Sequence, residues 1–259
     1  MTAGPAAHWV RFLDEGEVRF GTLERDRVRV CEGDLFAGAL PTERTIALAD
    51  VELLAPVEPG KIIALWNNFH ALGAKLGLSD PAEPLYLFKP RTSVLAPGGV
   101  IRKPRCDGKV VFEGELAIVI GKAASGVSEG RAMEHVLGYT CANDVTQADI
   151  LHRDPSFPQW ARAKGFDTFC PFGPAIATGI DPATLVVKTI LNGEVRQDYP
   201  ISDMRFPVAR LVSLISQDMT LEPGDLILCG TSVGVGSMKP GSTIEVEIAG
   251  VGRLANRFD

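Results

Sequence analysis

Residues 111–121, Val-Phe-Glu-Gly-Glu-Leu-Ala-Ile-Val-Ile-Gly, set two carboxylates at the mouth of a run otherwise built for burial. Successive strand side chains point to opposite faces, so Glu113 and Glu115 share one face with their Cα atoms roughly 6.5 Å apart. Like charges held that close repel each other unless a partner neutralises them. From Leu116 to Ile120 every residue is apolar, the pattern of a buried strand. A pair of glutamates alone is what many solvated strand edges carry, so its meaning depends on its surroundings.

Further apolar runs of β type surround this one: Ile62 to Leu65, Val186 to Leu191, Leu226 to Cys229 and Ile244 to Ile248. Upstream, Trp9 to Cys31 alternates apolar and charged residues around Gly16 and Gly21, as half-buried antiparallel strands joined by tight turns do. Two prolines and a glycine in "LLAPVEPGKIIAL" divide the chain into a small β-rich module over 1–57 and a larger domain over 58–259. Two helices are expected. "EGRAMEHVLG" ends at Gly138, read as a glycine just past a helix end, and "FPVARLVSLISQDM" lines up Val208, Leu211, Val212, Ile215 and Met219 on one stripe. Pro59-Gly60, Pro97-Gly98, Pro223-Gly224 and Pro240-Gly241 suit type II turns, with glycine taking positive φ. Strands outnumber helices without strict βα alternation, which predicts an α+β, β-rich fold.

The 259 residues are 46% hydrophobic and 22% charged, ordinary for a globular protein. A formal net charge of −6 without a Lys/Arg cluster argues against nucleic-acid binding and favours small-molecule ligands. The five cysteines never stand closer than 29 residues, so neither a CxxC pair nor a disulfide framework is expected. With no leader-like start in "MTAGPAAHWVRFLDEGEV" and no apolar run long enough to span a bilayer, the expectation is a soluble, cytoplasmic protein.

A third carboxylate, Asp144, follows the short strand Tyr139 to Ala142 in "GYTCANDVTQADIL"; Asp149 is the weaker candidate because of its place on the turn. Three carboxylates without a matching trio of His or Cys describe a hard, oxygen-ligand site. The expected ion is Mg²⁺ or Mn²⁺, with Ca²⁺ ranked behind them.

In chain order the sequence also carries "FEGELAIVIGK", "GYTCANDV", "AKGFDTFCPFGP", "LNGEVRQ", "MTLEPGDLILCGTSVGVG" and "VEIAGVGRLANRF". From about Lys61 to the C-terminus this series resembles the fumarylacetoacetate hydrolase superfamily. That resemblance implies a mixed β-roll core with short helices, a small N-terminal β module and a homodimer. It also implies a Mg²⁺ or Mn²⁺ ion held by Glu113, Glu115 and Asp144. The lysine near the metal falls on Lys164 and the threonine of the Gly-Thr loop on Thr231. Lys164 would add positive charge beside the ion and anchor a substrate carboxylate; outside its motif it would be an exposed lysine pairing with Asp167.

The chemistry so implied is a metal-stabilised enolate formed from a small 2-oxo or 2-hydroxy (di)carboxylic acid. Hydrolytic relatives pair a lid histidine with a glutamate three residues later. Here His70 is the candidate histidine, but position 73 is glycine, so an acid such as Glu83 would have to come from elsewhere. Many relatives also continue after the third carboxylate with Ser-Ala-Arg-Asp, and this chain has Thr146-Gln147-Ala148-Asp149; Gln147, Arg153 and Arg162 are candidates to replace the missing polar grip. Isomerisation and decarboxylation need no activated water. The expected activity is therefore a 2-hydroxyhepta-2,4-diene-1,7-dioate isomerase-like or decarboxylase reaction of aromatic catabolism. The alternatives are a C–C hydrolase of acylpyruvate or fumarylacetoacetate type, and a silent relative that binds 2-oxo acids.

Overall fold

The computed structural model describes Ala6 to Asp259; Met1 to Pro5, the start of the stretch examined for a leader, lie outside the described residues. Strand Gly114–Ile120 is buried at every position and runs inside a twelve-stranded sheet. It pairs antiparallel with Val136–Asn143 on one side and with Leu226–Leu228 on the other. Beyond Leu226–Leu228 the sheet continues through Ile62–Trp66, in parallel, to Leu85–Lys89. In the other direction it passes through Cys170–Thr178 to Ala7–Asp14 and the N-terminal hairpins. The N-terminal strands thus extend the main sheet.

A five-stranded sheet, Glu194–Pro200, Val186–Leu191, Ser242–Ile248, Gly252–Phe258 and Val100–Ile101, forms the second layer. Its Val187, Val246, Ile248 and Leu254 pack against Leu116, Ile118 and Ile120 of the central strand. Burying side chains of this kind contributes about 1.5–3 kcal/mol each. Helix Val208–Asp218 puts Val208, Leu211, Val212 and Ile215 into the same core, as their spacing predicts, with Met219 just past its end. The other α-helices among the described residues are only four to seven residues long. Parallel and antiparallel pairs coexist, so the fold is the β-rich α+β arrangement expected.

Four local expectations change. The run 111–121 is not one strand: Val110–Phe112 belongs to a three-stranded sheet with Thr146–Gln147 and Gly236–Ser237, and the chain changes sheets at Glu113. Gly138 does not cap a helix. The helix stops at Ala132, a 3-10 turn follows, and Gly138 lies within strand Val136–Asn143, where a Cβ would press on the Ala177 carbonyl. Gly21 sits inside strand Glu17–Glu24 for the same reason, its missing Cβ making room for Val28 and the Arg29 carbonyl; the second turn falls at Arg25 and Asp26. Of the four Pro-Gly turns, Gly98, Gly224 and Gly241 take positive φ and Gly60 does not.

Candidate metal centre

The change of sheet at Glu113 creates the site. Every backbone polar group of the Glu113-Gly114 unit has a partner, drawn from three separate parts of the chain. Glu113 N donates to Asn143 Oδ1 and its carbonyl accepts from Asp144 N, both at 2.9 Å. Gly114 N donates to Gln197 Oε1, and its carbonyl accepts from Tyr199 and, at 3.0 Å, from Thr231 Oγ1. Gly114 has no alternative: a Cβ there would collide with Thr189 Oγ1. Held this way, Glu113, Glu115 and Asp144 each bring one oxygen within 4.8 Å of the others.

Two lysines close the centre. Lys164, at the end of helix Trp160–Lys164, donates to Glu113 Oε2 at 2.9 Å, Asp144 Oδ2 at 2.6 Å and Thr146 Oγ1 at 2.7 Å. Its partners are these rather than Asp167. Lys89, the last residue of strand Leu85–Lys89, donates to Asp144 Oδ1 at 2.6 Å. Thr146 in turn donates to Glu113 Oε1 at 2.8 Å.

The carboxylates are unequal. Glu115 is fully buried; Gly230 N donates to its Oε2 at 2.7 Å, while its Oε1 has no partner. Burial, then the charges of Asp144 and Glu113, push its carboxyl well above the usual range. Burial also raises Glu113, against the pull of Lys164. Burial works on Asp144 in the same direction, but Lys164 and Lys89 outweigh it and hold its carboxyl below the usual value. For Lys164 burial opposes the charge, yet Asp144 and Glu113 keep the ammonium above its ordinary pKa. The Glu113 side chain is 14% exposed against 1% for Asp144, so the centre opens on the Glu113 side.

Three carboxylates against two ammoniums leave one excess negative charge, and Glu115 carries the unsatisfied oxygen. A buried, unpaired carboxylate is costly by several kcal/mol. A divalent cation would remove that excess and leave the cluster with a net positive charge. Oxygen-only donors select a hard ion, so the residues fit Mg²⁺ or Mn²⁺.

The remaining candidates have other partners. Thr231 is buried, and its hydroxyl accepts from Gln197 Nε2 at 2.8 Å. Gln147 turns its amide the other way, to the Asp107 carbonyl at 3.1 Å, because adjacent strand residues face opposite sides; its neighbour Thr146 faces the carboxylates. His70 opens helix His70–Leu76 with its side chain half exposed. Its Nδ1 lies 3.3 Å from Arg205 and 3.9 Å from Asp80, which itself pairs with Arg205. Asp80, not the exposed Glu83, is thus the acid beside His70. Arg153 and Arg162 remain on the surface.

Lys89, Thr146, Gln197 and Tyr199 were not singled out from the sequence. Lys89 carried a signal: alternation puts it on the same face as Leu87, and a lysine on an inward face needs an anion. Gln197 ends "LNGEVRQ", a stretch to which no side-chain role had been given.

Fold and site define a strand-rich α+β protein with a largely buried cluster of three carboxylates flanked by lysines. Residues 61–259 match the family model described as fumarylacetoacetate (FAA) hydrolase C-terminal, and residues 7–56 match that described as Rv2993c-like, N-terminal. The chain belongs to the fumarylacetoacetate hydrolase family, whose members are generally enzymes. It is 44% identical over 218 residues to Protein Rv2993c of Mycobacterium tuberculosis, covering 83% of this chain and 81% of that one. Oxaloacetate tautomerase YisK of Bacillus subtilis is 35% identical over 227 residues, 82% of this chain and 74% of that one. The crystal structure of 2-hydroxyhepta-2,4-diene-1,7-dioate isomerase from Mycobacterium marinum superposes with a TM-score of 0.89 at 39% identity, covering 97% of this chain and 98% of that one. No helix among the described residues is long and apolar enough to cross a membrane.

Proposed function

We propose that this protein is a Mg²⁺- or Mn²⁺-dependent isomerase that shifts a proton within a small 2-oxo or 2-hydroxy (di)carboxylic acid. The observation that carries the reading is the convergence of Glu113, Glu115 and Asp144, with Lys164 between two of them and one Glu115 oxygen left unpartnered among the described residues. These three carboxylates would hold the ion. Once bound, it supplies Lewis-acid polarisation of the 2-oxo group.

The chain's own residues do the rest. Lys164 keeps its proton, so it works as a fixed positive charge facing a substrate carboxylate or a developing oxyanion rather than as a base. The Gly230-Thr231 loop, fixed by Glu115 and Gln197, walls the other side. Burial of Glu115, Asp144 and Lys164 keeps water from the reacting centre. Arg205 lies 3.3 Å from His70 Nδ1, and the isomerase and tautomerase relatives support proton transfer over water attack. The five cysteines are free thiols, which suits a cytoplasmic enzyme. The homodimer remains part of this reading through the family resemblance.

A hydrolase is the second reading, favoured by Asp80 standing 3.9 Å from His70 Nδ1, where an acid would orient the imidazole toward water. Proton NMR in D₂O of a panel of 2-oxo dicarboxylates and acylpyruvates, with Mn²⁺ present, separates the two. Deuterium uptake beside the 2-oxo group without cleavage is expected; release of pyruvate from an acylpyruvate would establish the hydrolase.

The raised Glu115 carboxyl gives metal binding a pH dependence. Without metal, Glu115 keeps its proton above the ordinary glutamate range, and an arriving cation must expel it. Affinity for Mn²⁺ is therefore expected to rise with pH, by up to about tenfold per unit while Glu115 stays protonated, and to level off above its folded pKa. Calorimetry in buffers of different ionisation enthalpy should show proton release on binding; an affinity flat across this range would contradict the assignment of Glu115.

A further inference from the structure

Lys89 belongs to none of the six stretches that carry the family resemblance, yet its side chain is completely buried. Its Nζ makes two 2.6 Å hydrogen bonds, to Asp144 Oδ1 and to the backbone carbonyl of Lys164. The second partner is telling. The last carbonyls of a helix lack intrahelical donors, and Lys164 ends a helix of only five residues. Lys89 supplies the missing donor from the edge of the main sheet. The approach is close by construction: Pro90 follows directly, and a Cβ on Gly165 would press on the Ala161 carbonyl and lie 3.2 Å from Pro90 Cδ. One ammonium thus joins a candidate metal ligand to the backbone of the other lysine, across 55 and 75 residues of sequence.

We propose that Lys89 is a positioning residue: it fixes the carboxylate of Asp144 and the last helical turn together, so that Lys164 Nζ reaches Glu113, Asp144 and Thr146. This rests on the metal reading above. The competing role is charge balance alone, and the two differ in sign. Removing a positive charge beside three carboxylates strengthens their attraction for a cation, whereas releasing the Asp144 carboxylate weakens binding through lost geometry.

The test is Mn²⁺ calorimetry on chelator-stripped full-length protein, comparing wild type with Lys89→Met, alongside thermal melting of both. Positioning predicts that Lys89→Met binds Mn²⁺ about 10–100-fold more weakly, the range typical for loss of a partner that orients a ligand. At saturating Mn²⁺, kcat/KM on the preferred 2-oxo acid should fall as well, because Lys164, the charge that faces the substrate, is displaced. A folded Lys89→Met protein that binds Mn²⁺ equally or more tightly overturns the proposal. Should that variant fail to fold, Lys89→Gln, which keeps one donor but cannot reach both oxygens, is read by the same criteria. Wild type that binds no Mn²⁺ overturns the metal reading and this proposal together; wild type that binds it while the variants bind equally well overturns this proposal alone.

Discussion

Glu115→Gln is expected to bind Mn²⁺ at least about 100-fold more weakly than wild type, beyond what disturbing an outer partner costs, while its metal-free form becomes more stable. The two effects have one origin. Glu115 is fully buried, and among the described residues its side chain has one hydrogen bond, from Gly230 N, and one unpartnered oxygen. Its folded pKa is raised, so as pH climbs above the ordinary glutamate value the unfolded chain gives up this proton first and the metal-free fold is penalised. The amide keeps an acceptor for Gly230 and carries no charge, so the metal-free variant should gain about 1–3 kcal/mol at neutral pH. Wild type at a Mn²⁺ concentration of 100 Kd gains about 2.7 kcal/mol of stability, and the variant should lose nearly all of it. Paired melting curves with and without Mn²⁺ read both effects. A solvated-edge glutamate would move neither curve by more than about 0.5 kcal/mol.

Lys164→Met should separate catalysis from metal binding. The ammonium touches Glu113, Asp144 and Thr146, the same oxygen cluster that would face the ion. Without it the centre is more negative while Lys89 still holds Asp144 Oδ1 and Thr146 still holds Glu113 Oε1, so Mn²⁺ affinity should stay the same or rise. Turnover should nevertheless fall by about 10²–10³-fold, the usual cost of removing one group that stabilises developing charge. The metal-free variant should also lose roughly 3–5 kcal/mol, because Asp144 and Glu113 are left buried with less compensation, and Mn²⁺ should restore much of that. Calorimetry, turnover and melting on one preparation suffice to check this. Weakened metal binding with unchanged kcat would reverse the roles given to Lys164 and the carboxylates.

The convergence of Glu113, Glu115 and Asp144 was legible because alternation along 113–115 and the short strand read over Tyr139 to Ala142 leave little choice about where these carboxylates point. The N-terminal strands were equally open, since apolar and charged residues largely alternate along them. The break at Glu113 was not, because the stretch from Val110 to Gly121 holds no proline to mark it and only the partners Thr146–Gln147 and Gly236–Ser237 pull the first part into another sheet. Gly138 and Gly21 were misread for a related reason. A glycine needed for close approach looks the same in sequence as one needed for positive φ, and only the facing backbone tells them apart. Lys89 and Gln197 reach their partners over separations of 55 and 83 residues, contacts that only the assembled sheets create.

The central claim is that turnover depends on a divalent ion held by Glu113, Glu115 and Asp144. Its most direct test is deuterium exchange beside the 2-oxo group of a small 2-oxo dicarboxylate, followed by proton NMR with wild-type protein stripped by EDTA and then titrated with Mn²⁺ or Mg²⁺. The account predicts no enzymatic exchange in the stripped protein and full recovery as the ion is added back; exchange that persists undiminished after stripping would contradict it.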